Sequence, residues 1–142
     1  MANKVFLDIN IIIDFVEERP NELDAIKEII FLAQLHKVEL FISESVIATT
    51  IYLLQKQNID ALSVLREICK TVGVVAFSKD ILYFPLEKYK DTEDALLYFL
   101  AYKAKMNYFI TRNVKDFIFL FPSLPVMSPT NFLKEIYFND LS

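Results

Sequence analysis

The chain has 142 residues, 54% of them hydrophobic, with a formal net charge of −4 and a mean hydropathy of +0.33. That length suits one domain, residues 1–142, burying roughly two-thirds of its unfolded surface, and the apolar content excludes a disordered chain. No apolar run reaches the ~18 residues of a membrane span, and Met1-Ala2-Asn3-Lys4 opens without a signal-peptide pattern, so a cytoplasmic location is expected.

Residues 4–8 read as a buried strand, followed by a short helix from Asn10, its expected N-cap, to Glu17. Pro20 and Asn21 break the chain, and Leu23, Ile26, Ile29, Ile30 and Ala33 then recur at helical spacing to about His36. Val38–Ile42 is a second strand. Ser43 starts a helix to Gln57 with Val46, Ile47, Thr50, Ile51 and Leu54 on its apolar side. Asp60–Lys70 is a further helix with Leu62, Leu65, Ile68 and Cys69 inward. Val72–Phe77 is a third strand, and Ser78 opens a short helix interrupted at Pro85. Asp91 begins a long helix to Lys105 carrying Ala95, Leu96, Phe99, Ala101, Tyr102 and Met106. Tyr108–Thr111 and Val126-Met127 are the last strands, and Ser128-Pro129 starts the terminal helix. Strands alternating with helices mean βαβ units: an α/β fold of three layers, α/β/α, around a central parallel sheet.

Scarcities prune the chemistry. The one cysteine, Cys69, excludes an intrachain disulfide and a cysteine-based zinc site. The one glycine, Gly73, excludes a glycine-rich phosphate loop and a dinucleotide fingerprint. The one histidine, His36, reads as a solvated helix-end residue. What remains is acidic. Asp8 and Asn10 follow the first strand, Glu44 the second, and Thr111, Asn113 and Asp116 the fourth, while Asp91-Thr92-Glu93-Asp94 opens a helix. Ligands of an open α/β sheet bind at the carboxyl ends of its strands, and carboxylates gathered there suit a hard divalent cation. Each spot also has a plainer use. Asp8 and Asn10 could cap a helix, Asp91 and Asp94 could form a capping box, Glu44 could serve the helix dipole, and Asn113 or Asp116 could make a side-chain turn. Lys103, Lys105, Arg112 and Lys115 form a basic rim that is either phosphate-facing or an ordinary solvated surface.

Asp8-Ile9-Asn10, Asp91-Thr92-Glu93-Asp94-Ala95-Leu96 and Thr111-Arg112-Asn113-Val114-Lys115-Asp116-Phe117, in that order across nearly the whole chain, resemble the PIN domain. The resemblance implies a PIN-like fold, a metal-dependent ribonuclease, and the toxin half of a toxin–antitoxin pair. It implies that Asp8 and Asp94 are the principal metal-binding aspartates, with Asp116 joining them and Asn113 beside it. Glu44 and Asp91 are further candidate ligands. The implied cation is Mg²⁺ or Mn²⁺, with Asn10 and Thr111 orienting the carboxylates or a water, and Lys103, Lys105, Arg112 and Lys115 holding RNA. One motif departs: an acidic residue usual in the helix after the second strand falls near Thr49 and Thr50, neither of them an anion.

Two alternatives stand beside this reading. One is a catalytically weak PIN-fold module that binds RNA or protein. The other is a phosphoryl-receiver domain, for which Ser78-Lys79-Asp80 offers a loose acceptor and Pro125-Val126-Met127-Ser128 no lysine. Two segments, Phe117-Ile118-Phe119-Leu120-Phe121 and the terminal helix with Phe132, Leu133, Ile136, Tyr137 and Phe138, carry more apolar bulk than one small domain buries. A homodimer and an antitoxin protein are therefore expected partners, together with an RNA substrate and no membrane.

Overall fold

A computed structural model describes residues 2–117 and 124–141. Short runs of β-branched and aromatic residues form five parallel strands: β1 (Asn3–Leu7), β2 (Val38–Ser43), β3 (Val72–Val75), β4 (Tyr108–Ile110) and β5 (Val126–Met127). Their order in the sheet is β3-β2-β1-β4-β5, with Val5 opposite Leu40 on one side and Tyr108 on the other. The chain builds outward from β1 to β3, then returns to lay β4 on the free side of β1. The order reverses there, so the β1–β4 boundary is where a doubly wound sheet opens a crevice at its carboxyl edge. A phosphoryl-receiver domain is excluded by the same order, because the flavodoxin-like sheet runs 2-1-3-4-5.

Helices α1 (Ile9–Val16), α2 (Leu23–Gln34), α3 (Glu44–Lys56), α4 (Ala61–Ile68), α5 (Thr92–Lys103) and α6 (Pro129–Leu141) cover the sheet. Alternation along β1 sorts its side chains to two faces. Val5 and Leu7 join Ile11, Ile12, Ile26, Ile29, Phe132 and Ile136 of α1, α2 and α6. Phe6 joins the other layer, built from α5 with Phe109, Phe117 and Leu124, and stacks on Phe109 at 5.3 Å between ring centroids. The three-layer parallel architecture is the one expected.

Several local readings change. Asp8, not Asn10, is the N-cap of α1, and its carboxylate accepts the Ile9 N–H. The helix after β3 is two 3₁₀ turns, Lys79–Tyr83 and Leu86–Lys88, on either side of Pro85. Leu62 and Tyr102 are exposed rather than inward, as is Cys69. In α5 the buried set is Ala95 and every residue from Leu97 to Ala101. A helix apolar all round is one enclosed on most sides, which is why a single-face pattern described it poorly. Tyr98 at its centre donates its hydroxyl to the Leu124 carbonyl at 2.9 Å. With one glycine in the chain, helix ends do without glycine C-caps. Glu18, His36, Asn58 and Lys105, each just past a helix, hold positive φ of 54–61°, a position that normally selects glycine. Gly73 is needed elsewhere, since a Cβ there would meet the Phe41 ring at 2.8 Å.

In α6, Phe132, Leu133 and Ile136 are buried while Phe138 is 71% exposed. Phe117 is buried as well; Ile118-Phe119-Leu120-Phe121 lies outside the described residues. Among the described residues no helix is long and apolar enough to cross a membrane.

Candidate functional site

Asp8 closes β1 at the crevice, and both of its oxygens are engaged. Oδ1 accepts the Ile9 N–H at 2.8 Å and Oδ2 accepts the Thr111 hydroxyl at 2.9 Å. The Thr111 contact bridges β1 and β4 across the reversal point, beside a main-chain bond from Asp8 N–H to the Ile110 carbonyl. Thr111 is itself fully buried, and its oxygen accepts the Asn113 N–H at 3.1 Å. Thr111 thus supplies the side-chain turn that was the plainer alternative for Asn113 or Asp116. Asn113 contributes its carbonyl, which accepts the Asp116 N–H at 3.0 Å and sets Asp116 in a 3₁₀ turn (Val114–Phe117). Burial pushes the Asp8 carboxyl above the usual carboxylate range, while Thr111, the Ile9 N–H and Arg112 pull it back.

Asp94 faces this group from the first turn of α5. Asp91 is the N-cap of that helix and accepts the Asp94 N–H at 3.0 Å, so half of a capping box is realised. Burial first, then the charges of Asp91, Asp8, Asp116 and Glu93, push the Asp94 carboxyl up to about 6. The charges that act on Asp94 thus come from all three distant acidic motifs. Asp91, Asp94 and Asp116 line a cleft of about 700 Å³ with Lys88, Tyr89, Lys90 and Lys115. The donor set is all carboxylate oxygen, which suits Mg²⁺, Mn²⁺ or Ca²⁺ rather than a soft metal. Among the described residues, however, no three carboxylate, imidazole or thiol side chains stand close enough to hold one ion as placed. The acidic group has the charge for a cation without a preassembled cage.

Other expected residues lie elsewhere. Glu44 turns toward the segment that follows β3, where its Oε1 accepts the Phe77 N–H at 2.9 Å, and it is not among the carboxylates acting on Asp94. Lys103 pairs with Asp80 and donates to Ser78 at 2.6 Å. It lies nine residues beyond Asp94 on α5, roughly 14 Å along the axis and on the opposite side. Lys105 is past the end of that helix in a left-handed turn. Of the four basic candidates, Lys115 reaches the acidic cleft, and Arg112 is held by Asn10 and Asp14, each at 3.3 Å. Thr49 is exposed. Thr50 is fully buried, with no hydrogen-bond partner for its hydroxyl among the described residues.

Sequence reasoning missed Asp14, Lys88, Tyr89 and Lys90. Asp14 was detectable as a lone carboxylate inside the apolar run Ile11-Ile12-Ile13-Asp14-Phe15-Val16. Lys88-Tyr89-Lys90 was detectable as a basic–aromatic–basic triplet touching the acidic motif at Asp91.

The PIN domain family model matches residues 4–115. The chain is 30% identical over 142 residues to ribonuclease VapC1 of Aquifex aeolicus (strain VF5), covering 94% of this chain and 96% of that protein. Among solved structures it is similar to VapBC2 from Rickettsia felis bound to a DNA fragment from their promoter, with a TM-score of 0.66 and 20% identity. That match covers 87% of this chain and 96% of the other. It is also similar to a toxin–antitoxin complex from Klebsiella pneumoniae, with a TM-score of 0.65 and 24% identity over 88% of this chain and 97% of that one. At those identities the two structures speak for the fold.

Proposed function

The chain belongs to the PIN-domain family, and from that premise we propose that it is a divalent-metal-dependent endoribonuclease, the toxin of a toxin–antitoxin pair. The observation that carries the reading is the cleft that Asp91, Asp94 and Asp116 line together, with the charge of Asp8 at the end of β1 also acting on Asp94. A ribonuclease relative aligned over nearly the full chain supports the reaction class. The toxin–antitoxin assemblies of similar fold support an antitoxin partner.

Asp8 and Asp94 would hold Mg²⁺ or Mn²⁺, with Asp116 completing the set. When bound, the cation supplies Lewis-acid stabilisation of phosphate charge and a water of lowered pKa. The protein's own groups have distinct tasks. Thr111 and the Ile9 N–H fix the plane of the Asp8 carboxylate. Asn113 orders the turn that presents Asp116. Lys88, Lys90 and Lys115 around the cleft attract the RNA backbone and offset the acidic charge that would otherwise repel it. Few protein ligands suffice for Mg²⁺, which keeps several waters and borrows phosphate oxygens.

A second reading, a weak or inactive PIN-fold module, draws on Thr49 and Thr50 at the usual acidic position and on the lack of a preassembled ligand set. Cleavage of single-stranded RNA with added Mg²⁺ or Mn²⁺ separates the two. Wild type should cut and Asp8→Asn, folded and at least as stable, should not. Undiminished cutting by the folded variant would reject Asp8 as a ligand, and no metal-stimulated cutting by wild type would favour the module.

A further inference from the structure

Asp14 has no part in the chemistry proposed above, yet only 4% of its side chain is exposed. A charge buried in an isoleucine-rich helix must be paired, and Asp14 faces two guanidinium groups, Arg19 at 3.6 Å and Arg112 at 3.3 Å. Arg19 alone would neutralise it. Arg19 is also gripped by Glu17 at 2.6 Å, and Glu17 accepts from Gln57 at 2.6 Å, so that branch ties α1 to the end of α3. The second guanidinium is the one that calls for a reason.

Arg112 follows Thr111, the residue that hydrogen-bonds Asp8 across the β1–β4 crevice. Its fork is pinned at two points, NH1 on Asp14 Oδ1 and NH2 on Asn10 Oδ1, each at 3.3 Å. Those two anchors occupy one N–H on each terminal nitrogen of a planar, five-donor group. Nε and the other N–H bonds remain, on a side chain 29% exposed. Arg112 also stands near enough to Asp8 to lower its proton affinity, which places the fork at the rim of the acidic group.

We propose that Asp14 is a positioning residue: together with Asn10 it fixes the plane of the Arg112 guanidinium at the crevice, so that its remaining N–H groups bind a backbone phosphate of the RNA strand. The inference rests on the ribonuclease reading. A planar fork suits a phosphate in a way that a lysine ammonium does not, and a fork already fixed at two points loses less freedom on binding.

The test measures affinity for a single-stranded RNA oligonucleotide over a salt series, in full-length protein carrying Asp8→Asn to prevent cutting. Arg112→Ala should weaken binding roughly tenfold and reduce the slope of log affinity against log salt by about 0.7. Asp14→Asn should do nearly the same, and the double variant should be no weaker than Arg112→Ala alone, the non-additivity of one shared contact. Arg112→Lys should keep the slope while losing affinity. Circular dichroism checks the fold; if Asp14→Asn does not fold, Asn10→Ala replaces it with the same expectation. An Asp14 that merely stabilises the protein would leave affinity and slope unmoved in the folded variant. That result, or losses that add in full, overturns the inference while leaving the ribonuclease reading intact. Failure of the Asp8→Asn parent to bind RNA at all overturns both.

Discussion

Asp94→Asn should make the metal-free protein more stable at neutral pH and erase part of its pH dependence. The Asp94 carboxyl rises from 3.8 to about 6, first through burial and then through Asp91, Asp8, Asp116 and Glu93. About two decades of proton affinity correspond to ~3 kcal/mol. Asp94 remains partly exposed, so water screens the interaction and about 1 kcal/mol is the realistic share. The sign follows from linkage. The folded state holds this proton more tightly than the unfolded chain, so the contribution is complete below pH 3.8 and is lost as pH rises through about 6. Asparagine carries no charge at any of these pH values and escapes the loss. Thermal unfolding in a chelator, from about pH 4 to about pH 8, should therefore show curves that converge in acid and separate above pH 6. The variant should then melt higher by roughly 2–4 °C. Adding Mg²⁺ should raise the wild type and leave the variant nearly unchanged, closing the gap. A difference constant with pH, or a variant less stable than wild type in chelator, would refute the argument that carboxylate repulsion is stored at this edge.

Thr50→Val should stabilise the protein by about 1 kcal/mol, because it removes a buried hydroxyl that no described group satisfies; a lower urea midpoint would show that the hydroxyl has a partner. A homodimer is expected from Phe138, 71% exposed on α6, from Phe31, 55% exposed on the neighbouring α2, and from Leu35, 49% exposed at the end of that helix, because apolar patches of this kind mark interfaces. Light scattering at micromolar concentration should return twice the chain mass, and a clean monomer would defeat the expectation.

The parallel sheet was legible because each strand is a short apolar run bounded by polar or turn residues, and that pattern survives any tertiary context. The ends of the elements were less so. Nothing local tells that Asp8 rather than Asn10 caps α1, since both follow the same strand and either side chain can cap. In α5 Leu97 is buried and Tyr102 exposed, because a helix enclosed on most sides does not follow the single-face pattern by which its inward positions were chosen. The basic rim was legible by proximity in sequence, and there it misled. Lys103 and Arg112 are close in number, but a helix end and a strand separate them, and Lys103 is spent on Asp80. Asp14 shows locally only as a lone carboxylate in an apolar run, and the partner that ties it to β4, Arg112, is 98 residues away and leaves no trace beside it.

Asp8 was weighed in the sequence as either a helix cap or a functional carboxylate; the structure shows the cap, and the proposed use is compatible with it. Capping takes Oδ1 and Thr111 takes Oδ2, so the two contacts fix the carboxylate plane from β1 and β4 at once. Each oxygen retains a second lone pair for a further partner. A carboxylate held this way pays little rotational entropy on meeting a cation, and it cannot swing away from Asp94 to relieve repulsion. Asp91 repeats the arrangement at the start of α5, capping the helix while raising Asp94. Local hydrogen bonds thus hold the acidic group together against its own charge, and the repulsion they oppose is what a divalent cation would relieve.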